Sequence, residues 1–390
     1  MAECEEEREL SIVIPCLNEA DTLGMCIEKV QKILCEYKIE GEIIIADNGS
    51  KDDSRAIATR MGARVIHIES KGYGHALMGG ISAAHGKYII MGDADNSYDF
   101  LEIPRFVEKL RDGFDLVQGC RLPSGGGKVM PGAMPFLHRW LGNPMFSLMA
   151  RWWFGAPIHD IYCGLRGFTK GLYDKLHQRC TGMDFAIEMI LKSTVHDARI
   201  TEVPITLHPD GRKSHAPHLR TFQDGWRTLR FFLIYSPRWL FLIPGAFLVL
   251  IGLIGYGLVM PGLTIKGVTF DAHTLLFASL AFICGYQSIL FAVFTKTFAV
   301  EQGLLSKNKH MSRLFESVSL EYGLILGLVI MILGLSLLVI AIFQWWAANF
   351  GALDYSYTMR WVIPGVTLSS LGFQTILSSF FLSILVMNQK

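Results

Sequence analysis

The chain begins as short apolar runs rich in β-branched residues, each followed by a polar turn and then by helical spacing. Residues 10–15 read as a strand, and residues 21–37 place Leu23, Ile27, Val30 and Leu34 on one helical face. Residues 42–46, 64–68 and 88–91 read as three further strands. A glycine-rich turn at 71–76 opens a helix that runs to Ala84, another helix covers 103–111, and strands follow at 115–119 and 198–205. Strands that are apolar along their whole length and alternate with helices predict a mostly parallel, Rossmann-like α/β sheet covered on both faces. In such sheets ligands gather beyond the carboxyl ends of the strands. Asn18 and Glu19, Asp47, and the pair Asp93 and Asp95 all fall at such ends.

From residue 239 the pattern changes. Four stretches, about 239–259, 274–299, 322–343 and 362–387, reach the roughly twenty apolar residues that span a bilayer. The expected organisation is a domain at 1–218, a basic amphipathic juxtamembrane helix at 219–238 and an all-α transmembrane domain of four helices at 239–390. Composition agrees: 51% of the 390 residues are hydrophobic, yet the charge is concentrated before residue 230. The loops after the first and third spans carry Lys266 and Arg360, whereas the middle loop region carries Lys296, Lys307, Lys309 and Arg313. The positive-inside rule then places that loop, the first domain and both termini in the cytosol. The acidic start, with no apolar run behind it, predicts no signal peptide. Residues 134–154 interleave His138, Arg139 and Arg151 with Trp140, Trp152 and Trp153, which suits a membrane interface.

A net charge of +1 argues against bulk attraction to nucleic acid. Eight cysteines without a C-x-x-C pair read as scattered core thiols, not a disulfide frame or zinc site. There is no P-loop, and Gly72-Tyr73-Gly74 lacks the third glycine of a dinucleotide fingerprint. Asp93-Ala94-Asp95 is the chemical focus. A buried strand ending in two carboxylates is either a polar turn or a hard-oxygen site for Mg²⁺ or Mn²⁺, with phosphates taking the remaining positions. The histidines at 208, 215 and 218 sit beside Arg212 and Lys213, so that loop is better suited to phosphate than to a cation. Asp160 and Arg166, read without a functional role, are expected to pair with each other.

Taken together, Pro15-x-x-Asn18-Glu19, Asp47-Asn48-Gly49-Ser50-x-Asp52, Gly72-x-Gly74-x-Ala76 and Asp93-Ala94-Asp95 resemble glycosyltransferase family 2 with its GT-A fold. Gly119-Cys120-Arg121, Asp160-x-x-Cys163-Gly164-x-Arg166 and Arg212-Lys213-Ser214 make the chain similar to polyprenyl-phosphate glycosyltransferases such as dolichyl-phosphate mannose and glucose synthases. The resemblance implies a nucleotide-sugar site built from Pro15, Asn18, Glu19, Asp47, Gly49, Ser50 and Lys71, with Asp47 reading the base and Glu19 near the ribose. It implies that Asp93 and Asp95 hold the metal, with Ser97 where relatives often carry a third ligand. Arg121 and Arg212 would face the lipid phosphate, with Arg139 and Lys213 beside them.

The expected reaction is a metal-assisted in-line displacement with inversion, from a UDP-glucose-like donor or GDP-mannose to a polyprenyl or dolichyl phosphate. Relatives that glycosylate a hydroxyl need a general base, whereas a phosphate monoester, with a second pKa of about 6, is already ionised. This chain has Asp184 and Glu188 in the region where those relatives carry a Thr-Glu-Asp style motif. A processive polysaccharide synthase is the alternative enzyme. A transporter or flippase with a regulatory domain is the alternative class, and the few charges within the spans disfavour it. A homo-oligomer is compatible with all three.

Overall fold

The computed structural model describes residues 8–212, 221–262, 264–265, 268–301 and 320–387. The chain divides after Phe232 into two compact units.

The first unit runs β1 (Leu10–Cys16), α1 (Leu23–Glu36), β2 (Gly41–Asp47), α2 (Ser54–Arg60), β3 (Arg64–His67), α3 (Tyr73–Ser82), β4 (Tyr88–Met91) and α4 (Ile103–Arg111). It continues with β5 (Leu116–Cys120), β6 (Lys128–Val129), α5 (Asn143–Phe154), β7 (Arg166–Thr169), α6 (Lys170–Leu176), α7 (Phe185–Val195), β8 (Ile200–Pro204), β9 (Thr206–Leu207) and α8 (Thr221–Tyr235). Seven strands form one sheet in the order β3-β2-β1-β4-β7-β5-β8. Every neighbouring pair is parallel except those of β7, which runs antiparallel to both β4 and β5. The expected mostly parallel α/β architecture is therefore present, with one reversed strand that hydrophobic patterning did not announce.

Burial explains why the parallel strands read as continuous apolar runs. Leu10, Ile12 and Ile14 of β1 pack in the same core as Leu23, Cys26, Ile27 and Val30 of α1. On the other side of β1, α3 comes so close that a side chain at Gly80 would meet Val13 and Ala46. The one polar residue inside β1 is satisfied: Ser11 donates to Glu42 at 2.8 Å and accepts from the Gly86 N–H at 2.8 Å. Such pairing removes the cost of burying a hydroxyl.

The second unit contains four helices long and apolar enough to cross a membrane: Arg238–Val259, Ala272–Val300, Leu320–Ala347 and Tyr355–Leu385. The chain is an integral membrane protein. Their outward faces carry large apolar side chains such as Phe247, Leu253, Phe277 and Ile325, which lipid tolerates and water does not. Between the helices small residues let backbones approach. Gly245 faces Gly285, Gly327 faces Gly372, and Gly334 faces Gly365 and Ser369. Hydroxyl pairs add to this packing, with Tyr256 to Thr367 at 2.8 Å and Tyr286 to Thr375 at 2.6 Å.

Candidate active site

The carboxyl ends of β1 and β2 are tied into a single floor. Asn18, in the left-handed region at φ 58°, donates its backbone N–H to Ser50 Oγ at 3.0 Å and accepts from the Lys51 N–H at 2.8 Å. The Asn48 amide donates to the carbonyls of Ile68 (3.2 Å) and Ser70 (2.7 Å) and accepts from the Gly72 N–H (2.8 Å). Lys71 reaches the Asn48 carbonyl at 2.6 Å, and its ammonium fills the space a side chain at Gly49 would need.

Asp47 is completely buried at the end of β2. Its oxygens accept from the N–H groups of Gly49 (3.2 Å) and Ser50 (3.0 Å), with His67 Nδ1 at 3.3 Å and Arg55 Nε at 3.5 Å. Burial opposes its charge, but donation from Ser50, His67 and Gly49 outweighs burial and holds the carboxyl below its usual range. Asp47 thus shapes its own turn and offers a fixed negative charge at the sheet edge.

Asp93 and Asp95 follow β4. Asp93 accepts from the Tyr73 hydroxyl at 2.9 Å, and burial together with the charge of Asp95 pushes its carboxyl up to about 6. Asp95 Oδ1 accepts from the backbone N–H and hydroxyl of Ser97, at 2.9 and 2.6 Å. The Ser97 hydroxyl is therefore turned toward Asp95 and orients it. Asp95 Oδ2 faces Arg212 Nη2 at 3.3 Å. Arg212 is also held by Glu19 Oε1 at 3.1 Å and by Asp210 Oδ2 at 2.6 Å. The strand that precedes it is laid over the same loop: the His208 N–H donates to the Ser97 carbonyl at 2.9 Å, and the Gly211 N–H to the Asp95 carbonyl at 3.0 Å. The guanidinium expected at a lipid phosphate thus sits among the carboxylates of the metal candidate.

Among the described residues there is no group of three or more His, Cys, Asp and Glu able to hold a metal. The donor set suits a different kind of site. Two hard carboxylates at the end of one strand match Mg²⁺ or Mn²⁺ held by one or two carboxylates and completed by substrate phosphates and water.

Arg121, at the end of β5, is only 7% exposed and forks onto Asp160, with Nε–Oδ2 at 2.7 Å and Nη2–Oδ1 at 2.8 Å. Its Nη1 lies 3.3 Å from the Tyr98 hydroxyl. This corrects the expectation that Asp160 pairs with Arg166. Arg166 is fully buried in β7 and donates instead to the carbonyls of Ala186 (2.6 Å) and Cys163 (2.8 Å). The reversed strand lets its side chain bridge the start of α7 and the backbone of the loop before β7, while the Asp160 carboxylate goes to Arg121. Glu202 accepts from the N–H groups of His159 (2.6 Å) and Asp160 (3.2 Å), so the loop behind the Arg121–Asp160 fork is fixed as well.

Several contributors escaped the sequence reading. Tyr73 is one, although its place between two glycines was visible. Those glycines answer to packing: the Gly74 N–H donates to the Thr181 carbonyl at 2.9 Å, and side chains at Gly72 or Gly74 would strike the backbone at Cys180 and Thr181. Glu188 secures that segment by accepting from the N–H groups of Arg179 (3.0 Å) and Cys180 (2.8 Å) while pairing with Lys192 at 2.8 Å. Glu188 and Lys192 are both buried. Asp210 was not singled out, because its meaning depends on where Arg212 points.

Arg139 lies in the turn of π-helix at His138–Gly142 with its guanidinium 5.3 Å from the Trp140 ring. Lys213 lies outside the described residues. Around Arg139, Phe136 (79% exposed), Trp140, Leu148 and Trp152 (69%) project outward, as do Phe222 and Trp226 of α8. The inner faces of the two helices meet where Phe232 packs edge-on against Phe146 and Phe154 and Tyr162 donates to Thr228 at 2.7 Å. Exposed aromatics beside arginines form a surface suited to the headgroup region of a bilayer.

Comparison with known proteins adds independent findings. The model of Glycosyl transferase family 2 matches residues 11–176, and that of the glycosyltransferase family 2 C-terminal transmembrane region matches residues 293–386. The low-salt glycan biosynthesis hexosyltransferase Agl6 of Haloferax volcanii is 36% identical over 96% of this chain and 89% of its own length. The dolichyl-phosphate hexose transferase of the same organism is 31% identical over 50% of this chain and 82% of its own. Among solved structures, glucosyl-3-phosphoglycerate synthase from Mycobacterium tuberculosis, in complex with Mn²⁺, UDP and glucosyl-3-phosphoglycerate, matches at 21% identity and TM-score 0.44, covering 58% of this chain and 78% of that one.

Proposed function

The chain belongs to glycosyltransferase family 2 and is a membrane glycosyltransferase, and from that premise we propose that it transfers a hexose from a nucleotide-diphosphate sugar to a polyprenyl or dolichyl phosphate. A UDP-hexose such as UDP-glucose is the favoured donor, with GDP-mannose the other candidate. The observation that carries the lipid-phosphate acceptor is the condition of Glu188. With Asp184 it lies in the region where the resemblance implies a base for hydroxyl-glycosylating relatives, yet it is buried in an ion pair with Lys192 and occupied by two backbone donors. A carboxylate so committed is poorly placed to take a proton from an acceptor. A phosphate acceptor has no proton to lose.

In this reading Asp93 and Asp95 would hold Mg²⁺ or Mn²⁺, which when bound neutralises charge on the departing diphosphate. Pro15, Asn18, Gly49, Ser50 and Lys71 line the nucleotide side, with Asp47 toward the base and Glu19 toward the ribose. Arg121 and Arg212 supply positive charge to the phosphates, with Arg139 and Lys213 on the approach from the bilayer. An oxygen of the lipid phosphate bonds to the anomeric carbon as the bond to the nucleotide diphosphate breaks. The electron pair leaves with the nucleotide, no proton moves, and the anomeric configuration inverts. The Trp-rich surface would rest at the cytosolic leaflet, with the basic middle loop and both termini on that side.

Purified protein incubated with radiolabelled nucleotide sugars, an isoprenyl phosphate and Mg²⁺ or Mn²⁺ is expected to give organic-extractable label, highest with a UDP-hexose. Absence of extractable label with every donor would overturn the reading.

A further inference from the structure

Arg212 is bound more tightly than a residue waiting for an acceptor needs to be. Its side chain is 12% exposed and meets three separate carboxylates, Glu19, Asp95 and Asp210. Asp210 alone takes Nε on both oxygens, at 2.9 Å each, and Nη2 at 2.6 Å. The backbone is committed too, because the Gly211 N–H donates to the Asp95 carbonyl and a side chain at Gly211 would press on Thr22 and on that same carbonyl. Of these carboxylates only Asp95 belongs to the Asp-x-Asp pair. The guanidinium is therefore placed to neutralise the oxygen that a divalent ion would need.

We propose that Arg212 is a built-in counter-ion of Asp95 that makes divalent-metal binding depend on the nucleotide, and that Glu19 and Asp210 hold it there. The inference rests on the reading of Asp93 and Asp95 as metal ligands. The physical basis is competition between cations for one carboxylate. A site whose competent form is only fractionally populated shows an apparent affinity lowered by that fraction. A nucleotide diphosphate offers the planar guanidinium an anion of its own that can accept two hydrogen bonds at once. Arg212 then leaves Asp95 for a phosphate oxygen while Asp210 stays beside the path as its resting partner. Nucleotide and metal thereby each raise the other's affinity by the same factor. The arrangement also gives Asp95 a counter-charge from within the protein.

The test is Mn²⁺ binding, followed by electron paramagnetic resonance on the full chain in detergent, with no nucleotide and with UDP or GDP. Wild type is expected to bind Mn²⁺ weakly alone and much more tightly with its nucleotide. Arg212→Gln is expected to bind Mn²⁺ alone about tenfold more tightly than wild type and to gain less from nucleotide. Lys29→Gln serves as the charge control, since Lys29 is bonded to Asn96 Oδ1 at 3.0 Å and Asp99 at 3.1 Å and not to Asp95. It should leave the nucleotide-free affinity within about twofold, about 0.4 kcal/mol. An unchanged affinity in Arg212→Gln, or an equal rise in Lys29→Gln, would overturn the counter-ion role while nucleotide-dependent Mn²⁺ binding in wild type persists. No bound Mn²⁺ in any of the proteins with either nucleotide would overturn the metal site itself, and the inference with it.

Discussion

Asp95→Asn is expected to lower the transfer rate by about a thousandfold or more while leaving the fold intact. The substitution keeps the shape of the side chain and one acceptor oxygen for Ser97, but it removes the charge. In the proposed site only Asp93 would then remain as an ionised protein ligand. Losing a single element of preorganised charge stabilisation at a reacting centre typically costs a hundred- to a thousandfold. Here the loss acts on the ion that would neutralise the leaving group, so the upper part of that range or beyond is expected. Initial rates at saturating donor, with a thermal melt beside them, check the prediction. Near-wild-type rates from a well-folded variant would remove Asp95 from the mechanism.

Asp160→Ala should be the most destabilising single change near the site. Arg121 is buried and forked onto both oxygens of Asp160, which also accepts from the backbone N–H groups of Arg121 at 3.0 Å and Tyr162 at 3.3 Å. Removing the carboxylate strands a buried guanidinium that keeps only the long contact from its Nη1 to the Tyr98 hydroxyl at 3.3 Å among its described side-chain partners. Breaking one side of a buried ion pair costs about 3–5 kcal/mol, most of it the desolvated charge left behind. For a unit of this size that is a fall of roughly 10 °C in the melting midpoint. Asp160→Asn, which keeps hydrogen-bonding atoms in place, is expected to fall by less. An unchanged midpoint in Asp160→Ala would show that Arg121 finds another anion.

What was legible in the sequence follows from what is local. Parallel strands buried on both faces must be apolar throughout, so β1, β2 and β4 stood out, and their carboxyl ends pointed to Asn18, Asp47, Asp93 and Asp95. β7 stayed hidden because four residues, Arg166-Gly167-Phe168-Thr169, carry neither length nor alternation, and a fully buried arginine argues against a strand unless its partners are known. One of those partners comes from another element, since the Ala186 carbonyl lies beyond α6. The same distance hid the ion pairs. Arg121 meets Asp160 across 39 positions and Arg212 meets Glu19 across 193. The fourth spanning helix begins at Tyr355, seven residues before the apolar stretch expected from 362. Hydropathy reports the bilayer core, whereas a helix continues through the polar interface on its own backbone hydrogen bonds.

The central claim is that an already ionised lipid phosphate, needing no base, receives the sugar. The most direct measurement offers the enzyme polyprenyl phosphate and the matching polyprenol side by side with one labelled donor, then identifies the lipid product by mass and anomeric configuration. The account predicts a hexosyl phosphodiester of inverted configuration from the phosphate and at least about a hundredfold less product from the alcohol, the loss expected when a needed base is missing. Equal or faster labelling of the polyprenol, or of a growing glycan, would contradict it.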